Sequence, residues 1–157
     1  MNQKSEIIPL LEQEEGTKLS PYIDSLGYPT VGTGFKIGPQ GAPLRNYVFD
    51  ITQSTCDAWL QSLVDSTTLT MSRSSDISAT IPHCNQARQD ILTSMAYQMG
   101  VEGLAGFHNM LNAINRGDFD AAASEMLNST WAKQTPERAQ RHAAVMKSGS
   151  YEGIYSF

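Results

Sequence analysis

Between Lys18 and Phe35 the chain leaves helical spacing for aromatic and β-branched residues set among glycines, with Asp24-Ser25-Leu26-Gly27-Tyr28 as a turn in the middle. This pattern predicts a hairpin of two strands. Its surroundings read as helix. Ile7, Ile8 and Leu11 lie on one side of a short amphipathic segment that stops at Gly16, with Pro9 tolerable only near the first turn. Lys36 to Asn46 is rich in Gly and Pro and reads as loop; Thr52 then caps a helix carrying Cys56, Trp59, Leu60, Leu63 and Val64, expected to run to about Met71. Ser72 to Cys84, serine-rich and holding Pro82, reads as a flexible loop. Beyond Asn85 three helical patterns follow. Ala87, Ile91, Leu92, Met95 and Met99 end at Gly100; Phe107, Met110, Leu111 and Ile114 end at Gly117; and Asp118 caps Phe119, Ala122, Ala123, Met126 and Leu127. Thr135-Pro136, a capping threonine before a proline at the first helical position, starts the last helix. The fold class is therefore α+β within one domain, 1–157: a small N-terminal part (1–51), a connecting helix (52–71) and a larger helical part (72–157).

With 157 residues, 40% of them hydrophobic, the chain can build one substantial core or two small lobes sharing a helix. Its 11 Lys+Arg against 16 Asp+Glu give a formal net charge of -5, far from the basic surplus that nucleic-acid binding needs, so nucleic acid is not expected as a partner. Cys56 and Cys84 are too few for a disulfide scaffold, and neither they nor His83, His108 and His142 show metal-ligand spacing. The histidines are expected as surface or packing residues and Cys56 as a buried thiol, with pairing to Cys84 left open. No secretory h-region opens the chain and no stretch approaches the roughly 20 apolar residues of a membrane span, so the expectation is a cytoplasmic chain without stable membrane insertion.

Glu12, Glu14 and Glu15 crowd the C-terminal end of the first helix, where the macrodipole disfavours acidic residues. Stability does not ask for them there, and a carboxyl near like charges and a helix C-terminus tends to keep its proton, as a general acid must. Asp24 sits at the hairpin bend and Thr30 on the returning strand, so a second carboxylate and a hydroxyl could face the first carboxyl. Gly32 and Gly34, at period two, would leave one face of that strand bare for a bulky polymer. Residues of these types at these intervals also arise by chance in soluble chains, and spacing alone gives neither convergence nor substrate. Gly32-Thr33-Gly34 is no phosphate loop, since no helix follows it directly.

Three stretches in the first part, Glu15-Gly16, Tyr22-Ile23-Asp24 and Gly27-Tyr28-Pro29-Thr30-Val31-Gly32-Thr33-Gly34, resemble the catalytic region of the T-even phage lysozymes, glycoside hydrolase family 24. The resemblance returns in Tyr97-Gln98-Met99-Gly100, in Leu104-Ala105-Gly106-Phe107, and from Trp131 through Thr135-Pro136-Glu137-Arg138-Ala139. It implies a two-lobed lysozyme fold with a cleft between lobes, and cleavage of the β-1,4 bond between N-acetylmuramic acid and N-acetylglucosamine in peptidoglycan. Carried over by position, Glu15 is the acid, Asp24 the second carboxylate and Thr30 the hydroxyl that helps hold the attacking water in an inverting scheme. Arg138 would orient Glu15, and Tyr97 and Gln98 would line the cleft. Gly32, Gly34 and Phe35 belong to the implied substrate-binding or orienting set, whereas Trp131 is expected in the core. No metal or organic cofactor is implied. The setting is a monomeric phage or prophage endolysin, held in the host cytoplasm until a holin-type membrane lesion admits it to the wall.

Departures from the pattern are specific. Phe35 stands where the family has a histidine, so an ion pair there cannot form, and the loop from Phe35 to Thr52 is shorter than in the T-even enzymes. Those relatives are basic and this chain is acidic. Two other readings compete: a lytic transglycosylase, which needs one carboxyl and no counterpart of Asp24 and Thr30, and an inactive wall-binding or virion structural module.

Overall fold

A computed structural model describes residues 3–157; Met1 and Asn2 lie outside the described residues. The chain divides into two compact units, Leu11–Leu63 and a second that joins the segment up to Leu10 with Val64–Phe157.

The unit Leu11–Leu63 holds the end of helix α1 (Ile7–Glu15), strands β1 (Lys18–Ile23), β2 (Pro29–Gly32) and β3 (Phe35–Lys36), a 3-10 turn at Leu44–Asn46, and the start of α2 (Gln53–Arg73). Gly16, at φ 70, ends α1 as its position after the last periodic residue predicts. The strands form one antiparallel sheet in the order β1-β2-β3. Tyr22 pairs with Thr30 and Ile23 with Pro29, but the register slips between Lys18 and Tyr22, and Pro21 falls in that bulge, where a missing N–H does no harm. Central strand β2 is buried along its whole length. Thr52 caps α2 by accepting the Thr55 N–H at 3.2 Å, and Cys56 and Leu60 on that helix are buried along with Leu11, Val31 and Phe35.

Two expectations fail here. The segment Gly32-Thr33-Gly34 is not a bare strand face: Gly32 and Gly34 have φ 66 and 74, and the chain turns through them so that Val31 pairs with Phe35 on a third strand. Period two is common to strands and to this tight reversal, and only the sign of φ separates them. The stretch Ser72 to Cys84 is not loop either. It folds into α3 (Ser75–Thr80) and a 3-10 turn at Ile81–His83, because Ile77 and Thr80 are fully buried and α3 packs against α6 (His108–Asn115).

In the other unit α4 (Gln86–Met99) is buried continuously from Asp90 to Ala96, which makes it the central helix. Asn85 caps its start by accepting the Arg88 N–H at 3.0 Å, and Gly100 at φ 85 ends it. A short α5 (Val101–Ala105), then α6, α7 (Phe119–Leu127), α8 (Thr130–Gln134) and α9 (Pro136–Ser148) follow it, α5 and α9 packing against α4 and α7 against α9, with Asp118 capping α7 through Ala121 N–H as read from the sequence. Thr135 precedes Pro136 as expected, but its hydroxyl donates to the Trp131 carbonyl instead of capping α9. Asp90, 2% exposed, ties the N-terminal segment down: one carboxyl oxygen accepts from Ser5 Oγ at 2.7 Å and Gln86 Nε2 at 2.9 Å, the other from Glu6 N–H at 2.8 Å and Tyr151 hydroxyl at 2.7 Å. Burial, followed by that bond to Asp90, pushes the Tyr151 hydroxyl pKa well up. Cys56 and Cys84 are both free and buried. Among the described residues no helix is long and apolar enough to cross a membrane.

Candidate active site

Six of the expected site residues, Glu15, Asp24, Thr30, Gly32, Gly34 and Phe35, fall in the unit Leu11–Leu63; Tyr97, Gln98 and Arg138 fall in the other. Within the first, α1 ends on Glu15, whose half-buried side chain lies directly against Gly34. A Cβ on Gly34 would sit 2.6 Å from Glu15 Oε2 and 3.0 Å from its Cδ. Gly34 therefore serves two demands at once, a left-handed backbone at φ 74 and room for a carboxyl. The turn that carries it is held by Thr33, whose hydroxyl lies 3.2 Å from that of Thr17 and 3.5 Å from Cys56 Sγ.

Asp24 opens the hairpin turn and fixes its own carboxyl by it. Oδ1 accepts the N–H of Leu26 and that of Tyr28, each at 2.9 Å, an Asx-type turn that leaves Oδ2 outside these bonds. Thr30 is 2% exposed and donates its hydroxyl to the Tyr28 carbonyl at 2.9 Å, so Oγ1 can offer only lone pairs to a further group.

Tyr22 gathers these residues. It is the strand partner of Thr30, and its phenol pKa is raised by burial, then by the negative charge of Glu15, then by that of Asp24. Both carboxyls thus act electrostatically on one hydroxyl. Lys18 Nζ sits 4.3 Å from the centroid of the same ring, supplying the positive counterpart.

Phe35 is 2% exposed and stacks on Trp59 at 4.5 Å between centroids, and a Cβ on Gly32 would come within 2.3 Å of its ring. It is a core side chain, so of the expected substrate-binding or orienting roles the first has no surface to act through. An imidazole at this position would need a polar partner, and the ring beside it is indole.

Across 12–145 the sequence matches the family model described as Phage lysozyme. The chain belongs to the phage lysozyme family. It is 31% identical, over 96% of its own length, to the pre-baseplate central spike protein Gp5 of Enterobacteria phage T4, of which it spans 29%. Two Dictyostelium discoideum proteins, probable T4-type lysozymes 1 and 2, are 29% and 26% identical over 93% of this chain and 96% of theirs.

The second unit of this phage-lysozyme chain places its residues among named partners. Gln98, half-buried, accepts Trp131 Nε1 at 2.8 Å, and Trp131 itself is buried as expected. Tyr97 is half-buried. Arg138 is 7% exposed, no surface cation; its Nη2 donates to Ser94 Oγ at 3.0 Å and to the Ser94 carbonyl at 3.4 Å. His83 and His108 are exposed, as a surface reading requires, but His142 has no exposure and bonds at both ring nitrogens. Sequence reasoning missed Tyr22, Trp59, Ser94 and His142 as supports of the candidate residues. For His142 a signal existed: Arg138, Ala139, His142, Ala143 and Met146 recur at helical spacing on one buried face of α9.

Proposed function

We propose that this chain is a peptidoglycan hydrolase that cleaves the β-1,4 bond between N-acetylmuramic acid and N-acetylglucosamine with inversion. The observation that carries the reading is that one unit places the Glu15 carboxyl against the Gly34 turn, Asp24 at the hairpin bend with Oδ1 fixed by two N–H groups, and Thr30 on the returning strand paired with Tyr22, whose raised phenol pKa both carboxyls support. Two carboxyls in one unit, beside a hydroxyl whose lone pairs are free to accept, match the parts that an inverting glycosidase needs. In this scheme the Glu15 carboxyl gives its proton to the departing glycosidic oxygen as the C–O bond breaks. Asp24 takes a proton from the water that attacks the anomeric carbon, while Thr30 Oγ1 accepts the water's other hydrogen. The anionic Asp24 also stabilises the oxocarbenium-like centre. Arg138 orients the acid, Tyr97 and Gln98 serve substrate binding, and the chemistry draws on no metal or organic cofactor.

The test is the product. Digestion of purified peptidoglycan should release new reducing ends whose first-formed anomer, followed by proton NMR, is the inverted one. A 1,6-anhydro end would establish the transglycosylase reading in its place, and retained wall binding with no new ends would establish an inactive module.

For the biological setting we propose an endolysin that reaches the wall through a holin-type membrane lesion. A second setting, a module carried on the particle, is favoured by the similarity to the spike protein. Mass spectrometry of purified phage particles against cleared lysate separates the two.

A further inference from the structure

Arg138 does not meet Ser94 in isolation. Ser94 Oγ lies 2.8 Å from His142 Nε2, and His142 Nδ1 lies 2.8 Å from the Tyr155 hydroxyl. The four side chains form a line from α9 to α4, back to α9 and out to the C-terminal segment. Ser94 and His142 have no exposure, so water does not compete for the bond between them.

The donor inventory fixes the direction of the line. A guanidinium has five donors and no acceptor, so Ser94 Oγ must accept from Arg138. Among the described residues that hydroxyl bonds to Arg138 and His142 alone, which leaves His142 Nε2 as the acceptor for its hydrogen. His142 is then the neutral Nδ1–H tautomer, donating to the Tyr155 oxygen. Were Nε2 protonated, two donors would converge on Ser94 Oγ and the hydroxyl hydrogen would lose its acceptor. The Trp131 ring, 5.9 Å from the imidazole between centroids, closes another side of it.

We propose that His142, anchored by Tyr155, is a positioning residue for Arg138: by taking the Ser94 hydrogen it aims the Ser94 lone pair at Nη2 and so sets the rotamer of the guanidinium. This rests on the functional reading above for its catalytic consequence, but not for its geometry. Because a positioning group leaves binding alone and acts on the reacting arrangement, its loss should appear in kcat and not in KM.

The experiment compares His142→Leu, His142→Gln and Tyr155→Phe with wild type at 25 °C, each first shown folded by circular dichroism. Leucine fills the space without accepting; glutamine can still accept the Ser94 hydrogen through Oε1. His142→Leu should lower kcat on peptidoglycan on the order of tenfold or more with KM unchanged, Tyr155→Phe by a smaller factor, and His142→Gln should recover most of the wild-type kcat. In parallel, long-range 15N spectra of the wild-type imidazole should show the Nδ1–H tautomer, and the Arg138 guanidinium resonances should sharpen in wild type and His142→Gln but average in His142→Leu. Equal kcat in the Leu and Gln variants, an Nε2–H tautomer, or an Arg138 signal indifferent to His142→Leu each overturns the proposal. A wild type that releases no reducing ends defeats the functional reading instead, and the NMR comparison still decides whether His142 sets Arg138.

Discussion

Replacing Gly34 by alanine adds one methyl group at the place where the backbone and the Glu15 carboxyl make separate demands, and the two can be measured apart. The backbone part is set by φ 74, a left-handed conformation that disfavours an L side chain by roughly 1–2 kcal/mol. For a domain of this size that corresponds to a fall in Tm of about 2 to 8 °C. The second part is steric. The new Cβ would stand 2.6 Å from Glu15 Oε2, and ordinary contact begins at 3.4 Å, so the carboxyl must retreat by about 0.8 Å. Glu15 meets the new methyl with the far end of a flexible side chain, which moves before the backbone does, and a displacement near 1 Å in the proposed acid should lower rates by something on the order of a hundredfold. Gly117→Ala is the control: its φ is 73 and nothing lies within 4 Å of its Cβ position, so it should reproduce the Tm loss and keep the activity. Thermal unfolding by calorimetry and initial rates of reducing-end release at 25 °C supply the two readouts. In a Glu15→Gln background the Gly34 methyl should lower the rate no further, since on the proposed reading the group it displaces is already inactive. Wild-type turnover by Gly34→Ala, or an equal loss of activity in Gly117→Ala, refutes the argument that Gly34 makes room for the acid.

Asp90→Asn puts an amide among four donors, from Ser5, Glu6, Gln86 and Tyr151, where the carboxylate accepts from all of them. Loss of about 3 kcal/mol, read as a lower calorimetric midpoint, is expected, and an unchanged midpoint would show that those bonds are replaceable. Burial, offset in part by Arg88, raises the Cys84 thiol from 9.0 to about 11. The folded form thus binds its proton more tightly than the unfolded chain, so this contribution is intact below pH 9 and lost as pH rises through about 11, a change on the order of 2 kcal/mol. Urea unfolding from pH 8 to 11 should show that decline, and Cys84→Ser should make it shallower by the thiol's share, leaving the part that the raised Tyr22 and Tyr151 hydroxyls contribute in the same direction. Phe35→His, which restores the residue type of the T-even pattern, exchanges a stacked apolar ring for a buried imidazole beside Trp59. It should destabilise by about 2 kcal/mol in thermal melts without raising the rate of wall hydrolysis.

Helix ends were legible because their signals are local. Thr52 and Asp118 cap with their own side chains, and Gly16, Gly100 and Gly117 adopt the positive φ that stops a helix. The hairpin was legible for the same reason, since Asp24 makes its turn from the two N–H groups that follow it. Segment 72–84 was not. Its serines and Pro82 favour loop locally, and the burial of Ile77 and Thr80 that overrides them comes from a helix more than 25 residues away in sequence. Glu15, Asp24 and Thr30 could be named from residue order, but Tyr22, which links them, could not, because its importance lies in a field from two carboxyls and in strand register. The same limit hid His142. A histidine in a buried helical stripe reads as packing until Ser94 and Tyr155 are known to face its two nitrogens.

The glycines show most directly what sequence spacing withholds. Gly16, Gly41, Gly100, Gly117 and Gly153 share positive φ with open space where a Cβ would stand, so conformation alone accounts for them. Gly32 and Gly34 share the same sign of φ but are crowded, one by the Phe35 ring and the other by the Glu15 carboxyl. The two crowded positions flank a single residue, Thr33, and together they bend the chain so that a core aromatic and an acidic side chain approach it at successive steps. A strand at this place could not do both, because its side chains alternate faces and its φ stays negative. The turn therefore couples packing to the candidate acid: Phe35, stacked on Trp59, fixes where the turn sits, and the turn fixes the space that Glu15 enters. Phe35 makes this coupling an apolar one, carried by its stacking on Trp59 and its contact with Gly32.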